Sequence, residues 1–151
     1  MVSIRRAKPA DRDLLIPLIR EFCEIDQHPF ELERIQGAIE PLLADDTHGQ
    51  IWLVVTSDPP EDPDGYGVIT WGYSLESGGR DALLDELYVR RRGAGVVTAA
   101  LPAMIDAART AGASRVFLET EAHNTRVRSF YAHLGFRTEE SVWMSNDLTG
   151  Q

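Results

Sequence analysis

Ala82-Leu83-Leu84-Asp85-Glu86-Leu87-Tyr88-Val89 runs directly into Arg90-Arg91-Arg92-Gly93-Ala94-Gly95 and then into an alanine-rich stretch that ends near Ala111. The first eight residues have the content of a strand. The glycines mark a turn, and the stretch that follows reads as a helix with Gly112 placed as its C-terminal cap. Strand, glycine turn, helix is the order in which free main-chain N–H groups and the positive end of a helix meet an anion. A lone G-x-G also describes a plain tight turn, but three adjacent arginines favour the anion reading. A dinucleotide-binding unit normally places such a turn after the first strand of a parallel βαβ unit. Here an antiparallel hairpin precedes it, which argues against that reading.

Upstream, Tyr66 to Ser74 is a strand that joins Ala82–Val89 through a turn at Glu76-Ser77-Gly78-Gly79-Arg80. Before it, Ile51-Trp52-Leu53-Val54-Val55 reads as a buried strand, followed by the acidic loop from Asp58 to Gly65. Two amphipathic helices come earlier. Pro9-Ala10-Asp11 opens the first, with Leu14, Leu15, Leu18, Ile19 and Phe22 at helical spacing and Pro17 as a bend. After His28-Pro29-Phe30, Leu32, Ile35, Ile39 and Leu43 form the face of the second. Ser3 to Arg6 is a short first strand. Downstream, Arg115 to Thr120 is a strand and Asn124 to Leu134 a helix with Asn124 as N-cap. Phe136 and Ser141 to Leu148 supply material for a last strand. The order is β-α-α-β-β-β-α-β-α-β, an α/β (α+β) fold with a mixed, mostly antiparallel sheet and helices on both faces.

Length and composition agree with one domain spanning 1–151. The chain has 151 residues, 43% hydrophobic and 26% charged, the ordinary globular mix. No apolar run reaches the roughly 18 residues of a membrane span, and Met1 to Arg6 leads into no apolar signal segment, so a cytoplasmic protein is expected. Cys23 is the single cysteine, which excludes an internal disulfide or a multi-cysteine metal site. Fifteen Lys+Arg against 24 Asp+Glu give a formal net charge of −9, the wrong sign for non-specific nucleic-acid binding.

Leu83 to Val89, Arg92-Gly93-Ala94-Gly95, and Asn124 through Phe130-Tyr131 to Leu134-Gly135-Phe136, in this order and spacing, resemble the GNAT acetyltransferase superfamily. The likeness extends over nearly the whole chain. Ile4-Arg5-Arg6-Ala7 with Asp11 looks like that family's opening strand and helix, and Gly72 to Ala82 looks like a bacterial subgroup of small members. The resemblance implies a GNAT-like fold, with acetyl-CoA as donor, no metal, and a primary amine of a small molecule or peptide as acceptor. It implies that the amides of Leu87 and Val89, with Tyr88 between them, hold the pantetheine arm. Arg91, Arg92, Gly93, Ala94, Gly95, Val96, Val97 and Thr98 would cradle the pyrophosphate. Asn124 would contact the cofactor arm, and Tyr131 would give a proton to the leaving thiolate. By itself Tyr131 also reads as a packed amphipathic residue.

Direct transfer needs a neutral amine, so a base must collect the proton of an ammonium whose pKa lies near 10. Simple alternation puts Glu86 on the face of Leu84 and Tyr88, and Asp85 on the face of Leu83 and Leu87. Glu86 is preferred as base and Glu119 is next; either is also readable as a surface carboxylate paired with an arginine. The resemblance places His28, Phe30, Glu31, Tyr73 and Glu76 at the acceptor cleft, whose acidic border with Glu21, Glu24 and Asp26 suits a cationic amine. The family's carboxyl-terminal strand often joins a dimer interface, which leaves a homodimer open. The competing class is a non-catalytic acyl-CoA-binding domain, motivated by Val97 where the family has a small residue, by a short loop after Val89, and by Pro102 within the helix.

Overall fold

The computed structural model describes residues 1–56, 62–91 and 95–150. Its core is a five-stranded sheet in the order β1-β2-β3-β4-β5, formed by β1 (Ser3–Arg6), β2 (Gly49–Val55), β3 (Gly65–Ser74), β4 (Gly79–Val89) and β5 (Val116–Phe117). The first three pairings are antiparallel and the last is parallel. Helices α1 (Arg12–Ile25) and α2 (Leu32–Ala44) lie between β1 and β2 in the chain. α3 (Val96–Thr110) precedes β5, and α4 (Thr125–His133) follows it. The chain divides into two compact units, Met1–Glu119 and Thr120–Gln151.

Six of the seven residues of β2 are buried, because both faces of the sheet are covered. Leu15, Leu18 and Ile19 of α1 and Ile39 and Leu43 of α2 pack on Ile51, Leu53, Tyr66, Val68 and Tyr88. On the other face α3 buries Val96, Ala100, Leu101, Met104 and Ala108, positions at the three-four spacing of one helical face. Gly67 admits that helix: a Cβ there would sit 2.6 Å from the Met104 sulfur. Pro102 is exposed, and so is Thr98, the residue whose carbonyl would have received the missing N–H. The break in the hydrogen-bond ladder therefore faces water, and α3 runs through it. Gly112, at φ +96°, ends the helix as expected; the following Ala113 N–H reaches back to Ala108 O at 3.0 Å.

Elements of the structure depart from the sequence expectation at three places. The strand expected over Arg115 to Thr120 shortens to Val116–Phe117, which pair with Ala82 and Leu83. Phe136 and the segment Ser141 to Leu148 form no strand, and Val142, Trp143, Met144 and Leu148 are exposed. Apolar and aromatic content favours a strand only where an edge is available to pair with, and the unit 120–150 contains none among its described residues. Third, β4 does not alternate simply. Val68 pairs with Glu86 but its neighbour Ile69 pairs with Leu84, so Asp85 is an extra residue in a β-bulge. Leu84 therefore lies on the α3 face beside Ile69, opposite to Glu86 and Tyr88. The loop residues 57–61 and the glycine-turn residues Arg92, Gly93 and Ala94 lie outside the described residues.

Leu53 is fully buried between β1, β3 and the helices, so Leu53→Ala should cost about 3 kcal/mol and lower Tm by about 6–12 °C. Val142→Ser should change stability by less than about 0.5 kcal/mol. Equal losses in calorimetric melts of the two variants would show that the carboxyl-terminal segment is packed after all.

Candidate active site

The bulge at Asp85 sets the direction of the following residues of β4. Glu86 and Tyr88 face α1, next to Val68 and Tyr66 of β3. The fully buried Tyr66 donates its hydroxyl to Glu86 Oε1 at 2.6 Å. Its ring meets Phe22 of α1 edge-on with centroids 6.4 Å apart, and Tyr88 lies 6.3 Å away. Burial pushes the Glu86 carboxyl above the ordinary range; the Tyr66 hydrogen bond opposes this, the charges of Asp85 and Asp26 add to it, and His28 opposes it. Burial and the adjacent Glu86 also push the Tyr66 phenol up, so it stays a neutral donor. Cys23 of α1 feels the same surroundings, its thiol raised by burial and by Glu86 and Asp26.

A second carboxylate near the same sheet face has the opposite setting. Glu21 of α1 accepts from Arg90 Nε at 2.9 Å, from Arg90 Nη2 at 2.6 Å and from the Tyr88 hydroxyl at 2.9 Å. The Arg90 hydrogen bonds outweigh burial and hold its pKa below the ordinary value, with the Tyr88 bond acting in the same direction. Two carboxylates whose surroundings move them apart are the usual sign of separate acid–base duties.

The outer edge of the carboxyl-terminal half of β4 has no strand neighbour among the described residues. Its parallel partner β5 ends at Phe117, opposite Leu83, and no described strand continues beyond that point. Arg90 N–H donates to Asp64 O at 2.8 Å on the β3 side. Alternation then directs the N–H groups of Val89 and Leu87 to the open edge, and that of Tyr88 to β3. Beyond the turn, Gly95 adopts φ +72°, a conformation suited to glycine, and α3 starts at Val96. Its first intrahelical bond is Ala99 N–H to Gly95 O at 3.1 Å, so the amides of Val96, Val97 and Thr98 have no acceptor within the helix.

A family model for the acetyltransferase (GNAT) family matches residues 18–136, which is most of the chain. The chain belongs to the GNAT acetyltransferase family. An integron cassette protein from the mobile metagenome of Cole Harbour salt marsh is similar in structure, with TM-score 0.83 and 26% identity over 96% of this chain and 90% of that one. A protein of Arthrobacter sp. FB24, provisionally named an acetyltransferase, gives TM-score 0.81 and 27% identity over 97% and 96% of the two chains. The ribosomal-protein-alanine N-acetyltransferase of Brucella melitensis shares the fold, with TM-score 0.71 and 18% identity over 97% of this chain and all of that one. No curated protein sequence matches this chain.

Within this GNAT chain the expected site residues separate into groups. Glu86, the open amides of Leu87 and Val89, and the first turn of α3 belong to one strand–turn–helix segment, as expected. Tyr88 points its hydroxyl to Glu21 and its amide to β3, away from the edge. Arg91 is bound to Asp64 Oδ2 at 3.0 Å and to Thr56 Oγ1, so the described arginines of the expected basic cluster are already paired. His28, beside Asp26 at 3.3 Å, lies just past the end of α1. Phe30 supports the Arg20 guanidinium at 4.7 Å, while Glu31 is exposed beside Arg34 at 3.6 Å.

Tyr73 and Glu76 are not brought to Glu86. Glu86 pairs with Val68 and Arg80 with Tyr73; Val68 and Tyr73 are five residue steps apart along β3, about 17 Å at the rise of a strand. Tyr73 is 82% exposed, and Glu76 lies 3.8 Å from Arg115. Glu119 is exposed and lies beyond β5 rather than within a strand. In the unit 120–150, Asn124 caps α4 by accepting from Val127 N–H at 3.1 Å. Tyr131 there packs edge-on against Phe130 and Phe136, and burial pushes its phenol up, which keeps it protonated. Sequence reasoning missed Tyr66 and the ion-paired role of Glu21; Tyr66 reads as one more apolar residue of a buried strand until its partner is known. Among the described residues no group of three His, Cys, Asp or Glu side chains is placed to hold a metal ion, and no helix is long and apolar enough to cross a membrane.

The raised pKa of Glu86 predicts a pH-dependent stability difference. As pH rises from about 4.3, the unfolded chain loses this proton before the folded one does, so the wild type loses stability until the folded-state pKa is passed. Glu86→Gln has no such loss. In thermal melts from pH 4 to 8 the Tm of the variant should gain on that of the wild type until the folded-state pKa of Glu86 is passed and then hold level; a constant gap throughout would show that Glu86 is not desolvated.

Proposed function

We propose that the chain is an acetyl-CoA-dependent N-acetyltransferase whose acceptor is a primary amine of a small cationic molecule or of an exposed peptide end, with Glu86 as the base. Family membership implies acyl-CoA-dependent acetyl transfer. The observation that carries the finer reading is the half-buried Glu86 carboxylate, hydrogen-bonded to Tyr66, on the strand whose outer edge is open at Leu87 and Val89. A match to the family model that runs from residue 18 to residue 136 supports reading the chain as one family domain.

The donor set fits acetyl-CoA. Strand amides suit the amide-rich pantetheine arm, and the free N–H groups of α3's first turn, after the left-handed Gly95, suit the pyrophosphate. Leu87 and Val89 would hold the arm, with Gly95, Val96, Val97 and Thr98 at the phosphates. By the family's pattern Arg92, Gly93 and Ala94 join them. The bound cofactor supplies an acyl group activated as a thioester. The chain's own residues then manage two protons. An amine arrives mostly as ammonium near neutral pH; Glu86 takes that proton and leaves a lone pair to attack. A carboxylate with a pKa raised toward neutrality is matched to this duty better than an ordinary one. The resemblance of 124–136 to the family's carboxyl-terminal motif supports Tyr131, kept protonated by burial, as the donor of the proton needed by the departing thiolate. Asp26, Asp85 and Glu86 give the acceptor side negative potential, which supports a cationic amine.

Calorimetric titration with acetyl-CoA and CoA, followed by thiol release across a panel of amines, tests this reading. Binding with turnover on cationic amines is expected; binding without turnover on any amine would favour a non-catalytic acyl-CoA-binding domain. Glu86→Gln should lower kcat/KM at pH 7 by about 10²–10⁴-fold. Tyr131→Phe should lower kcat with little change in acetyl-CoA affinity, and unchanged kcat would return Tyr131 to a packing role.

A further inference from the structure

Tyr66 is fully buried within an aromatic cluster with Phe22 and Tyr88, yet its hydroxyl ends on a carboxylate rather than on a main-chain carbonyl. The two groups meet diagonally across the β3–β4 pairing: Tyr66 is opposite Tyr88, and Glu86 is opposite Val68. Diagonal neighbours on one sheet face are within reach of long side chains. They share that face because the bulge at Asp85 comes immediately before Glu86. Without the extra residue the strand direction of Leu84 would be carried through and Glu86 would project with it to the α3 side. Glu21 supplies the contrast on the same face. Its tyrosine, Tyr88, is accompanied by a bidentate arginine, which commits that carboxylate to an ion pair. Glu86 receives a neutral phenol and no such arginine bond.

We propose that Tyr66 is a positioning residue for the base: its hydroxyl, fixed by the aromatic cluster, holds the Glu86 carboxylate in one orientation and in its proton-accepting form. This rests on Glu86 being the base. A rigid single donor does two things that burial alone would not. It keeps one carboxylate oxygen occupied, so that the proton is taken on the other, and it limits how far an apolar site drives the group toward the neutral acid. The remaining charged and titratable neighbours are Asp85 on β4, Cys23 and Asp26 at the end of α1 and just beyond it, and His28 in the following turn. None of these replaces the Tyr66 donor: Asp85 and Asp26 act in the opposite direction, and His28 is exposed.

The test follows the Glu86 carboxyl directly by carbon NMR of the full chain labelled at glutamate side-chain carboxyls, with the resonance assigned by its absence in Glu86→Gln. In Tyr66→Phe the Glu86 midpoint should rise by about one pH unit, and the acid limb of kcat/KM should move with it. In a second variant, 3-fluorotyrosine at position 66 is a stronger donor of nearly the same size, and it should move the midpoint down. It keeps the test open if Tyr66→Phe folds poorly. A Glu86 midpoint unchanged in a folded variant of either kind would overturn the proposal and leave Tyr66 as packing. Full activity of Glu86→Gln would instead remove Glu86 as the base, whatever the NMR midpoints do.

Discussion

A single extra residue in β4 governs how the sheet is used. The pairing steps from Val68↔Glu86 to Ile69↔Leu84, and Asp85 is left over. A strand with a period of two would keep Leu84, Glu86 and Tyr88 on one face. The bulge instead lets Leu84 pack under α3 while Glu86 and Tyr88 reach the α1 side. The amino-terminal half of β4 is thus a core strand with β5 as its neighbour, and the carboxyl-terminal half carries the proposed base on one face and, along its outer edge, amides with no strand partner among the described residues. Bulges are enriched where a strand must re-aim a side chain. Here the re-aimed side chain is Glu86, the proposed base.

Glu21 and Glu86 show how the same residue type acquires two roles within one small volume. The Arg90 fork holds Glu21 ionised, and the pair ties α1 to the end of β4 just before the glycine turn. Glu86, buried against Tyr66 and facing like charges, is driven the other way. An ion pair partly open to solvent contributes little to stability by itself. Its consequence here is geometric: Arg90 is drawn back to α1 and is not free for an incoming anion.

Much of this was legible in the chain. Leu15, Leu18 and Ile19, and Ile39 with Leu43, announce their helices by spacing and are buried, and β2 announces itself by Ile51 to Val55; Leu14 and Leu32, selected by the same spacing, sit at the margins of their faces and are exposed. The strand–turn–helix segment around Val89 and Gly95 was equally plain, because glycine, arginine and strand composition change abruptly there. The bulge was not legible. A one-residue shift depends on the partner strand, and nothing in Leu84-Asp85-Glu86 distinguishes it from ordinary alternation. Tyr66 was hidden for the same reason, since its role depends on a cross-strand neighbour twenty residues away. The separation of Tyr73 and Glu76 from Glu86 was likewise not legible: closeness in sequence to the turn says nothing about distance along the hairpin. Val142 to Met144 have strand composition but no strand among the described residues of their own unit, which a local reading cannot detect.

The pairing of Arg90 and Arg91 also changes how an acidic chain can receive an anionic cofactor. At a formal charge of −9 the long-range field is unfavourable, but at physiological salt that field is screened beyond about 8 Å. Glu21 and Asp64 cancel much of the nearby positive charge. In the proposed site attraction then falls to short-range donors: the amides of Val96, Val97 and Thr98, reinforced by the dipole of a fifteen-residue helix. Such donors act only within about one turn and require close approach, which the left-handed Gly95 permits because it has no Cβ. In the proposed site the pyrophosphate therefore meets main-chain donors rather than the paired Arg90 and Arg91, and Val97, at the second of these amides, matters for its bulk rather than for its lack of charge.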